Sequence, residues 1–336
     1  MGRHDIVEKL AAAWEPTEWR DVTVLLAVSG GVDSVAMARA MKTLKVGGAG
    51  RLAIAHFNHQ IRVHDSTKDE AFVSELCGQL GLDFYVGRAA PGQIVGGSTD
   101  GVESASRDAR YKFLKQISAK IGARYVVTAH TADDQVETII HRIVRGTGIA
   151  GLSGMARARP LGQAVTLIRP LLGLRRAELI EYLNDLGQSY CHDMTNDDIQ
   201  FTRNRIRHGL LPILRKDFNP NVIDAILRLG SLAGEVQTLV DEIVCGLIDR
   251  CVVAREAGYV QIDVGQLAGK PSYAVREFFI AVWKECGWPM QSMGFVQWKE
   301  LSDLRKLGTG DAPVKKTFPG NILVEVCGDK MLLRCV

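Results

Sequence analysis

The sequence Ser29-Gly30-Gly31-Val32-Asp33-Ser34 decides the fold, because it joins a predicted buried strand to a predicted helix. Residues 22–28 before it are almost wholly apolar and rich in β-branched side chains, which is typical of a strand buried on both faces. Residues 35–41 after it have the composition of a helix. A Ser/Gly turn at this point gathers backbone N–H groups and the positive end of the helix dipole, so the stretch predicts an anion site.

Each residue type in the turn suits a phosphate. Gly30 and Gly31 let the main chain approach it without a Cβ, and the hydroxyls of Ser29 and Ser34 can donate to it. The stretch lacks both the Gly-Lys-Ser/Thr ending of a Walker loop and the spacing of a dinucleotide turn. The simpler alternative is a tight strand–helix turn that happens to contain two glycines.

Composition describes an ordinary globular protein of 336 residues, long enough for two domains, with 46% hydrophobic and 24% charged residues. The N-terminal residues do not resemble a secretory signal, and no apolar run is long enough to cross a membrane. The seven cysteines are scattered and never form Cys-x-x-Cys. We therefore expect reduced thiols in a cytoplasmic protein, without an iron–sulfur cluster or zinc.

The net charge of +3 hides two basic blocks. Residues 138–177 contain seven arginines and no acidic residue, and residues 199–216 contain four arginines and one lysine, again without an acid. A solvated surface usually mixes both signs, so these blocks favour a polyanion such as nucleic acid over an ordinary solvated face.

The order of elements predicts an α/β fold, a Rossmann-like parallel sheet with helices on both faces. Short apolar strands are expected near 22–28, 51–57, 84–86, 125–129 and 165–168, separated by helices. After residue 215 the pattern becomes mainly helical, with helices expected near 219–256, 271–286 and 291–306. One short strand is expected at 259–263 and a C-terminal β-hairpin at 322–334. We place the domain boundary at residue 215, giving domains at 1–215 and 216–336.

The predicted helix 132–145 presents a polar face at the carboxyl end of its preceding strand. Asp134 and Glu137 lie one turn apart on this face, and His130 stands just before the helix. Two carboxylates beside a phosphate site could hold Mg²⁺ or a substrate ammonium group, whereas capping and solvation are the alternatives. His130 is compatible with a core, a capping or a catalytic role.

The predicted helix 104–121 carries Arg107 and Arg110 one turn apart. Arg110 lies near the apolar edge of the helix, so its charge needs an anionic partner. That partner is either a phosphate or an internal acid such as Glu103 or Asp108.

Several motifs together resemble one family. The stretch 29–34 matches the Ser-Gly-Gly-x-Asp-Ser signature of the PP-loop ATP pyrophosphatases. The segments 56–62, 103–111 and 129–138 resemble motifs of the tRNA(Ile)-lysidine synthases, with Ser106 at a position where alanine is usual. Further matches are Ile168-Arg169-Pro170-Leu171-Leu172, Asp193-x-x-Asn196 and Arg203-Asn204-x-Ile206-Arg207, so the resemblance covers about residues 22–215.

The resemblance implies an ATP-dependent ligase. Such an enzyme attaches L-lysine to C2 of the wobble cytidine of the isoleucine tRNA with a CAU anticodon, through an adenylated cytidine. AMP and pyrophosphate leave, and the modified tRNA reads AUA.

The resemblance also implies roles for individual residues. The ATP-binding residues are Ser29, Gly30, Gly31, Val32, Asp33 and Ser34. The catalytic residues are Asp33, Arg110, His130 and Asp134, with Asp33 and Asp134 as ligands of Mg²⁺. The substrate-binding residues are Asn58, His59, Arg107, Asp134, Glu137, Arg142, Arg145, Arg203, Arg205 and Arg207.

Other functions stay open at this stage. A PP-loop tRNA thiolase usually brings paired catalytic cysteines, and amidotransferase-linked relatives bring a further domain; neither feature is found in this sequence. A tRNA-binding protein with an inactive ATP site is disfavoured by the intact loop and by the Asp134–Glu137 pair. The sequence does not decide the oligomeric state, and a homodimer stays open.

Overall fold

The structure is a computed structural model that describes residues 4–60, 63–90, 99–191, 202–307 and 313–336. It divides into two compact units, Met1–Ala233 and Gly234–Val336. The predicted motif residues Ile61, Arg62, Asp193 and Asn196, and most of the glycine-rich loop 91–101, lie outside the described residues.

The first unit is built on a six-stranded sheet. Its strands are β1 (Thr23–Ala27), β2 (Leu52–Asn58), β3 (Asp83–Arg88), β4 (Ala123–Val127), β5 (Ala158–Pro160) and β6 (Thr166–Ile168), in the order β3-β2-β1-β4-β6-β5. Its longer helices are α1 (Asp5–Ala13), α2 (Val32–Leu44), α3 (Val63–Leu80), α4 (Thr99–Ile121) and α5 (Ala132–Val144). Shorter ones are α6 (Ile149–Leu152), α7 (Arg176–Asp185), α8 (Thr202–Arg205) and α9 (Leu211–Ile213), the last two joined by a π-helical turn at Ile206–Leu210. A second π-helical turn, Leu214–Phe218, leads towards α10 (Val222–Cys251), which contains the boundary between the units.

Alternation along β1 explains why both faces of the sheet are covered. Val24 and Leu26 point into the apolar cluster that contains Met37 of α2, whereas Leu25 points into the cluster that contains Leu114 of α4. The predicted α/β fold is therefore confirmed, with strands β1, β2, β3, β4 and β6 parallel.

The sheet brings the predicted polar residues to one edge. The carboxyl ends of β1, β2, β4 and β6 lead to Ser29, His59, His130 and Arg169 respectively. Ligands bind at this edge in open α/β sheets. The strand β5 was not predicted; it pairs antiparallel with β6 and carries Arg159 at the edge of the sheet.

The second unit contains the remainder of α10, two helices and an antiparallel sheet. Its other helices are α11 (Ser272–Glu285) and α12 (Phe295–Leu304), and its strands are β7 (Val252–Glu256), β8 (Tyr259–Asp263), β9 (Val314–Phe318), β10 (Ile322–Cys327) and β11 (Lys330–Cys335). The predicted hairpin is confirmed as β10 and β11. It belongs to a five-stranded sheet in the order β7-β8-β11-β10-β9.

Two details of the second unit differ from the sequence expectation. The helix expected to reach residue 256 ends at Cys251, because Val252–Glu256 pairs with β8 instead. The compact units also divide later than residue 215. Ile206, Leu211 and Ile223 pack with Val136 and Ile140 of α5, so the start of α10 belongs to the first unit.

Candidate active site

The predicted phosphate loop is held together by the hydroxyl of Ser34. This hydroxyl accepts hydrogen bonds from the backbone N–H groups of Ser29 and Gly30, each over 3.2 Å, and donates one to the carbonyl oxygen of Gly31 over 2.9 Å. Ser34 is buried, whereas Ser29 is exposed. Ser34 therefore shapes the loop, and the Ser29 hydroxyl is on the side that a ligand can reach.

Position 30 requires a glycine, because of both its backbone conformation and the side chains around it. Its φ of 98° lies in the left-handed region, and an added Cβ would stand 3.3 Å from the Sγ of Cys191. The backbone N–H of Cys191 also donates to the carbonyl oxygen of Gly30 over 2.9 Å. The loop is thus clamped from outside, which fixes its shape before a ligand arrives.

Asp33 lies in the first turn of α2 with only 20% of its side chain exposed. Its Oδ2 is 3.3 Å from Nη1 of Arg176, and its buried Oδ1 makes no hydrogen bond with the described residues. Burial raises the pKa of Asp33 to about 6, against the opposing effect of Arg176. A buried carboxylate oxygen without a partner is a fitting ligand for a cation.

Asp134 forms a capping box at the start of α5. Its Oδ2 accepts hydrogen bonds from the backbone N–H of Thr131 over 2.8 Å and from the Thr131 hydroxyl over 3.1 Å. Its Oδ1 lies 3.6 Å from Nη2 of Arg207. Capping and binding are therefore compatible, because each uses a different oxygen of the same carboxylate.

Glu137 is buried one turn further along α5, with 4% of its side chain exposed. Its Oε1 accepts a hydrogen bond from Nε of Arg207 over 2.6 Å. Burial raises the pKa of Glu137, and the Arg207 hydrogen bond opposes this effect. Arg207 thus joins both predicted carboxylates, and its own π-helical turn, Ile206–Leu210, brings it there.

A cavity of about 590 Å³ adjoins Glu137 and Arg207. Its walls contain acids, bases and apolar side chains: Thr131, Asp133, Glu137, Arg176, Arg207, Leu211, Pro212, Arg215, Lys216, Pro220 and Ile223. A small zwitterion with an aliphatic chain would find partners there for both of its charges.

His130 lies among arginines. Burial, followed by the positive charges of Arg169 and Arg110, holds its pKa well below the ordinary value, so the imidazole is neutral near pH 7. Its Nδ1 is 3.0 Å from the hydroxyl of Thr128. The positive charge of Arg203 acts to lower the pKa of both His130 and Glu137.

The remaining predicted residues have more varied surroundings. Asn58 is buried, donates to Glu70 and accepts from the backbone N–H of Gln60, which is a structural role. His59 packs edge-on against Phe57 at 4.9 Å between ring centroids.

Of three further predicted arginines, Arg142 bonds inward, whereas Arg145 and Arg205 are exposed. Nη1 of Arg142 donates to the carbonyl oxygens of Gly151 and Gly154, which holds the segment around α6. Arg145 is exposed at the end of α5, and exposed Arg205 bonds within its own turn to Thr202.

Sequence reasoning assigned no site role to three residues that the fold brings to this region. Arg176 pairs with Asp33, while Tyr111 and Arg169 lie beside Arg110 and His130. For Arg169 and Arg176 the available signal was the acid-free basic block 138–177, which marked its arginines as a group without ranking them, and for Tyr111 it was the motif 103–111.

The described residues contain no group of three or more His, Cys, Asp or Glu side chains placed to hold a metal ion. All seven cysteines are free thiols. Among helices in the described ranges, none has the length and apolarity needed to cross a lipid bilayer.

A Ser/Gly loop at a helix start, with an acid in the first turn and ligand-facing groups at the carboxyl edge of a parallel sheet, defines the PP-loop class of ATP-using domains. The family model described as PP-loop domain matches residues 3–214. Relatives curated as tRNA(Ile)-lysidine synthase include one from Rhodopirellula baltica, 30% identical, with 98% of this chain and 96% of the relative covered. The chain belongs to the tRNA(Ile)-lysidine synthase family, a family of ligases within the PP-loop class.

Other relatives with the same name are longer than this chain. Those from Bacteroides thetaiotaomicron and Geobacter sulfurreducens are 36% and 37% identical over 67% and 74% of this chain, which spans only 50% and 52% of their lengths. Among solved structures, a U34-tRNA thiolase with its [4Fe-4S] cluster from Methanococcus maripaludis has a TM-score of 0.57. Its identity is 17%, over 68% of this chain and 79% of that one, so the likeness concerns the fold.

Proposed function

We propose that this chain joins L-lysine to C2 of the wobble cytidine in the isoleucine tRNA with a CAU anticodon. ATP activates the base first, and the products are lysidine-containing tRNA, AMP and pyrophosphate. The observation that carries the proposal is an electrostatic link between the phosphate loop and the carboxylate pair. The charges of Asp134 and Arg207 both influence the pKa of Asp33, and Arg207 contacts Asp134 and Glu137.

ATP would bind at the loop Ser29–Ser34, where Ser34 keeps the backbone N–H groups in place. Asp33 suits a Mg²⁺ ion, because its Oδ1 is buried and makes no hydrogen bond with the described residues. Mg²⁺ is commonly held by one or two carboxylates together with substrate phosphates, so Asp33 with Asp134 fits the expected donor set. When bound, the ion would neutralise phosphate charge.

Activation is the transfer of an adenylyl (AMP) group to the cytidine. The O2 oxygen of the base attacks the α-phosphorus of ATP, the bond to the β-phosphate oxygen breaks, and pyrophosphate leaves. Arg110 would stabilise the negative charge that develops. Neutral His130 would hydrogen-bond near the reacting phosphate, since its low pKa keeps it uncharged.

Lysine would enter the cavity that Glu137 and Arg207 line, and Arg207 also contacts Asp134. The carboxylates of Asp134 and Glu137 would bind its α-ammonium group, which would replace some of their contacts with Arg207. The arginines that line the cavity would bind its carboxylate. The ε-amine must lose a proton before it attacks C2 and displaces AMP, because a protonated amine has no free electron pair.

The tRNA would contact the basic residues Arg107, Arg145, Arg203 and Arg205, while residues 216–336 would add affinity for it. Direct coordination by Asn58 or Arg142 is a weaker proposal, because their polar groups already bond within the chain. His59 remains a proposed substrate contact. Free thiols suit a cytoplasmic protein. Whether the chain is a monomer or a homodimer is a separate question, which light scattering would answer.

Nucleoside mass analysis tests the proposal. The purified chain is incubated with ATP, Mg²⁺, L-lysine and the CAU isoleucine tRNA, and the digested tRNA is examined. A mass increase of one lysyl group on cytidine, dependent on ATP, is expected. Unmodified tRNA, or a sulfur-containing nucleoside, would overturn the proposal.

A further inference from the structure

Tyr111 lies at the centre of a cluster that the proposed chemistry uses only in part. The guanidinium carbons of Arg107, Arg110 and Arg159 lie 5.6, 5.7 and 5.0 Å from the centre of its ring. Arg169 acts on the Tyr111 hydroxyl as well. We call these five residues the Tyr111 cluster.

Two buried polar atoms in the cluster lack a hydrogen bond of normal geometry, although the Tyr111 hydroxyl faces the guanidiniums of Arg159 and Arg169. The hydroxyl of Tyr111, a residue only 9% exposed, makes no hydrogen bond of normal geometry with the described residues. Arg169 is 2% exposed; its Nη1 donates to the carbonyl oxygen of Ala156 over 2.5 Å, but its buried Nε has no partner among them. Buried donors are nearly always satisfied, so both groups indicate a ligand that completes the cluster.

The cluster also carries an excess of positive charge. Burial acts to raise the pKa of Tyr111, yet the guanidiniums of Arg107 and Arg110 outweigh it and lower this pKa. The strongest charges acting on neighbouring His130 are also arginines. Cations gathered in a partly buried place need an anion, and the fork of a guanidinium matches phosphate oxygens.

The charges that act most strongly on the phosphate loop do not come from the Tyr111 cluster. The charges that act most strongly on Asp33 belong to Arg176, Asp134, Arg207 and Asp133, and to no member of the Tyr111 cluster. Arg159 comes from β5, within the acid-free block 138–177. A long basic block favours a polymer of phosphates over a single triphosphate.

We propose that Tyr111, Arg159 and Arg169, together with Arg107, form a second phosphate site that binds a phosphodiester of the RNA strand. Tyr111 positions the guanidiniums with its ring and donates its hydroxyl to the phosphate. This inference rests on the proposed function for the identity of the RNA, but its test measures binding and not modification.

The test compares Arg159→Gln with Arg124→Gln. Both changes remove one arginine charge, but Arg124 is exposed at the start of β4, the end of the strand opposite to the site. Binding of the CAU isoleucine tRNA is measured at several salt concentrations, and binding of ATP is measured without tRNA. Arg159→Gln should weaken tRNA binding about tenfold and lower the salt slope by about one, with ATP binding unchanged. Arg124→Gln should leave both affinities at the level of the unmodified chain.

Tyr111→Phe separates the hydroxyl from the ring. This variant keeps the cation–π contacts and removes an unsatisfied buried group, so its melting temperature should not fall while its tRNA affinity does. Weaker ATP binding with unchanged tRNA binding in Arg159→Gln would assign the site to the nucleotide and overturn the proposal. Equal effects of Arg159→Gln and Arg124→Gln, or no effect of Arg159→Gln, would also overturn it.

The two proposals fail separately. If the unmodified chain makes lysidine but Arg159→Gln binds tRNA normally, only the phosphate site is wrong. If Arg159→Gln weakens tRNA binding but no lysidine is formed by the unmodified chain, only the proposed function is wrong.

Discussion

Arg207 donates a hydrogen bond from its Nε to Oε1 of Glu137 over 2.6 Å. The acceptor is a buried carboxylate on α5, and the donor stands on a π-helical turn seventy positions later in the chain. Both residues of this pair line the cavity. A ligand with an ammonium group would have to compete with a cation that is already in place.

The Glu137–Arg207 pair gives the first prediction. Glu137→Gln keeps the side-chain volume but removes the negative charge, so it should lower kcat/KM for lysine at least tenfold, or about 1.4 kcal/mol. ATP affinity should change little, because the loop residues are untouched. Steady-state kinetics with varied lysine, together with ATP titration, measure the two effects. Glu181→Gln on the exposed face of α7 is the matched control and should behave as the unmodified chain does.

Asp33 gives a prediction about pH and stability. Its pKa is raised in the folded protein to about 6, so the folded state binds the proton more tightly than the unfolded chain does. Between about pH 4 and pH 6 this group therefore makes the protein less stable as the pH rises, and the loss is complete above about pH 6.

Asp33→Asn should consequently raise stability at pH 7, by about 1–3 kcal/mol, while it abolishes turnover. Denaturant unfolding at pH 7 and at pH 4 measures the first effect, which should vanish at the lower pH. Release of AMP measures the second. A variant that is less stable at pH 7, or one that keeps turnover, would contradict the role assigned to this carboxylate.

The clamp between Gly30 and Cys191 gives a third prediction. Gly30→Ala introduces backbone strain of about 1–2 kcal/mol and places a methyl group against Cys191, so ATP binding should weaken strongly. Gly47→Ala is the control, because Gly47 also has a left-handed φ of 69° but no atom within 4 Å of an added Cβ. Both variants should lose stability, but only Gly30→Ala should lose ATP affinity. Isothermal titration with ATP distinguishes them.

The order of the chemistry gives a fourth prediction. If the base is adenylated first, exchange of labelled pyrophosphate into ATP should require tRNA and should not require lysine. The nucleotide product should be AMP. Exchange that depends on lysine and ignores tRNA would show that the amino acid is activated instead, and ADP as product would exclude the PP-loop reaction.

The seven cysteines provide a further check against sulfur chemistry. Burial raises the pKa of Cys191, the thiol nearest to the loop, to about 12, with Asp69 adding to the effect, so this thiol is a poor nucleophile. Replacing all seven cysteines by serine or alanine should therefore spare lysidine formation in a variant that keeps its far-ultraviolet circular dichroism. Loss of activity in such a folded variant would indicate a catalytic thiol.

The sequence by itself determined the elements whose signals are local. The buried strand before Ser29, the glycines of the loop and the helix after Val32 are adjacent in the chain, so their pattern predicted a phosphate loop. Alternation of short apolar strands with helices predicted the parallel sheet for a similar reason. The one-turn spacing of Asp134 and Glu137 placed both on the same face of α5.

The tertiary structure alone decided which charges meet. Arg176 contacts Asp33, and Arg207 contacts Glu137, across long separations in the chain, and local periodicity contains no record of such pairs. The edge strand β5 is three residues long and is held in the sheet by its pairing with β6, so its own composition did not reveal it. The burial of Tyr111 and Arg169 likewise depends on packing between distant segments. Local propensity specifies strands, helices and turns, whereas the pairing of side chains follows from how the sheet brings its carboxyl ends together.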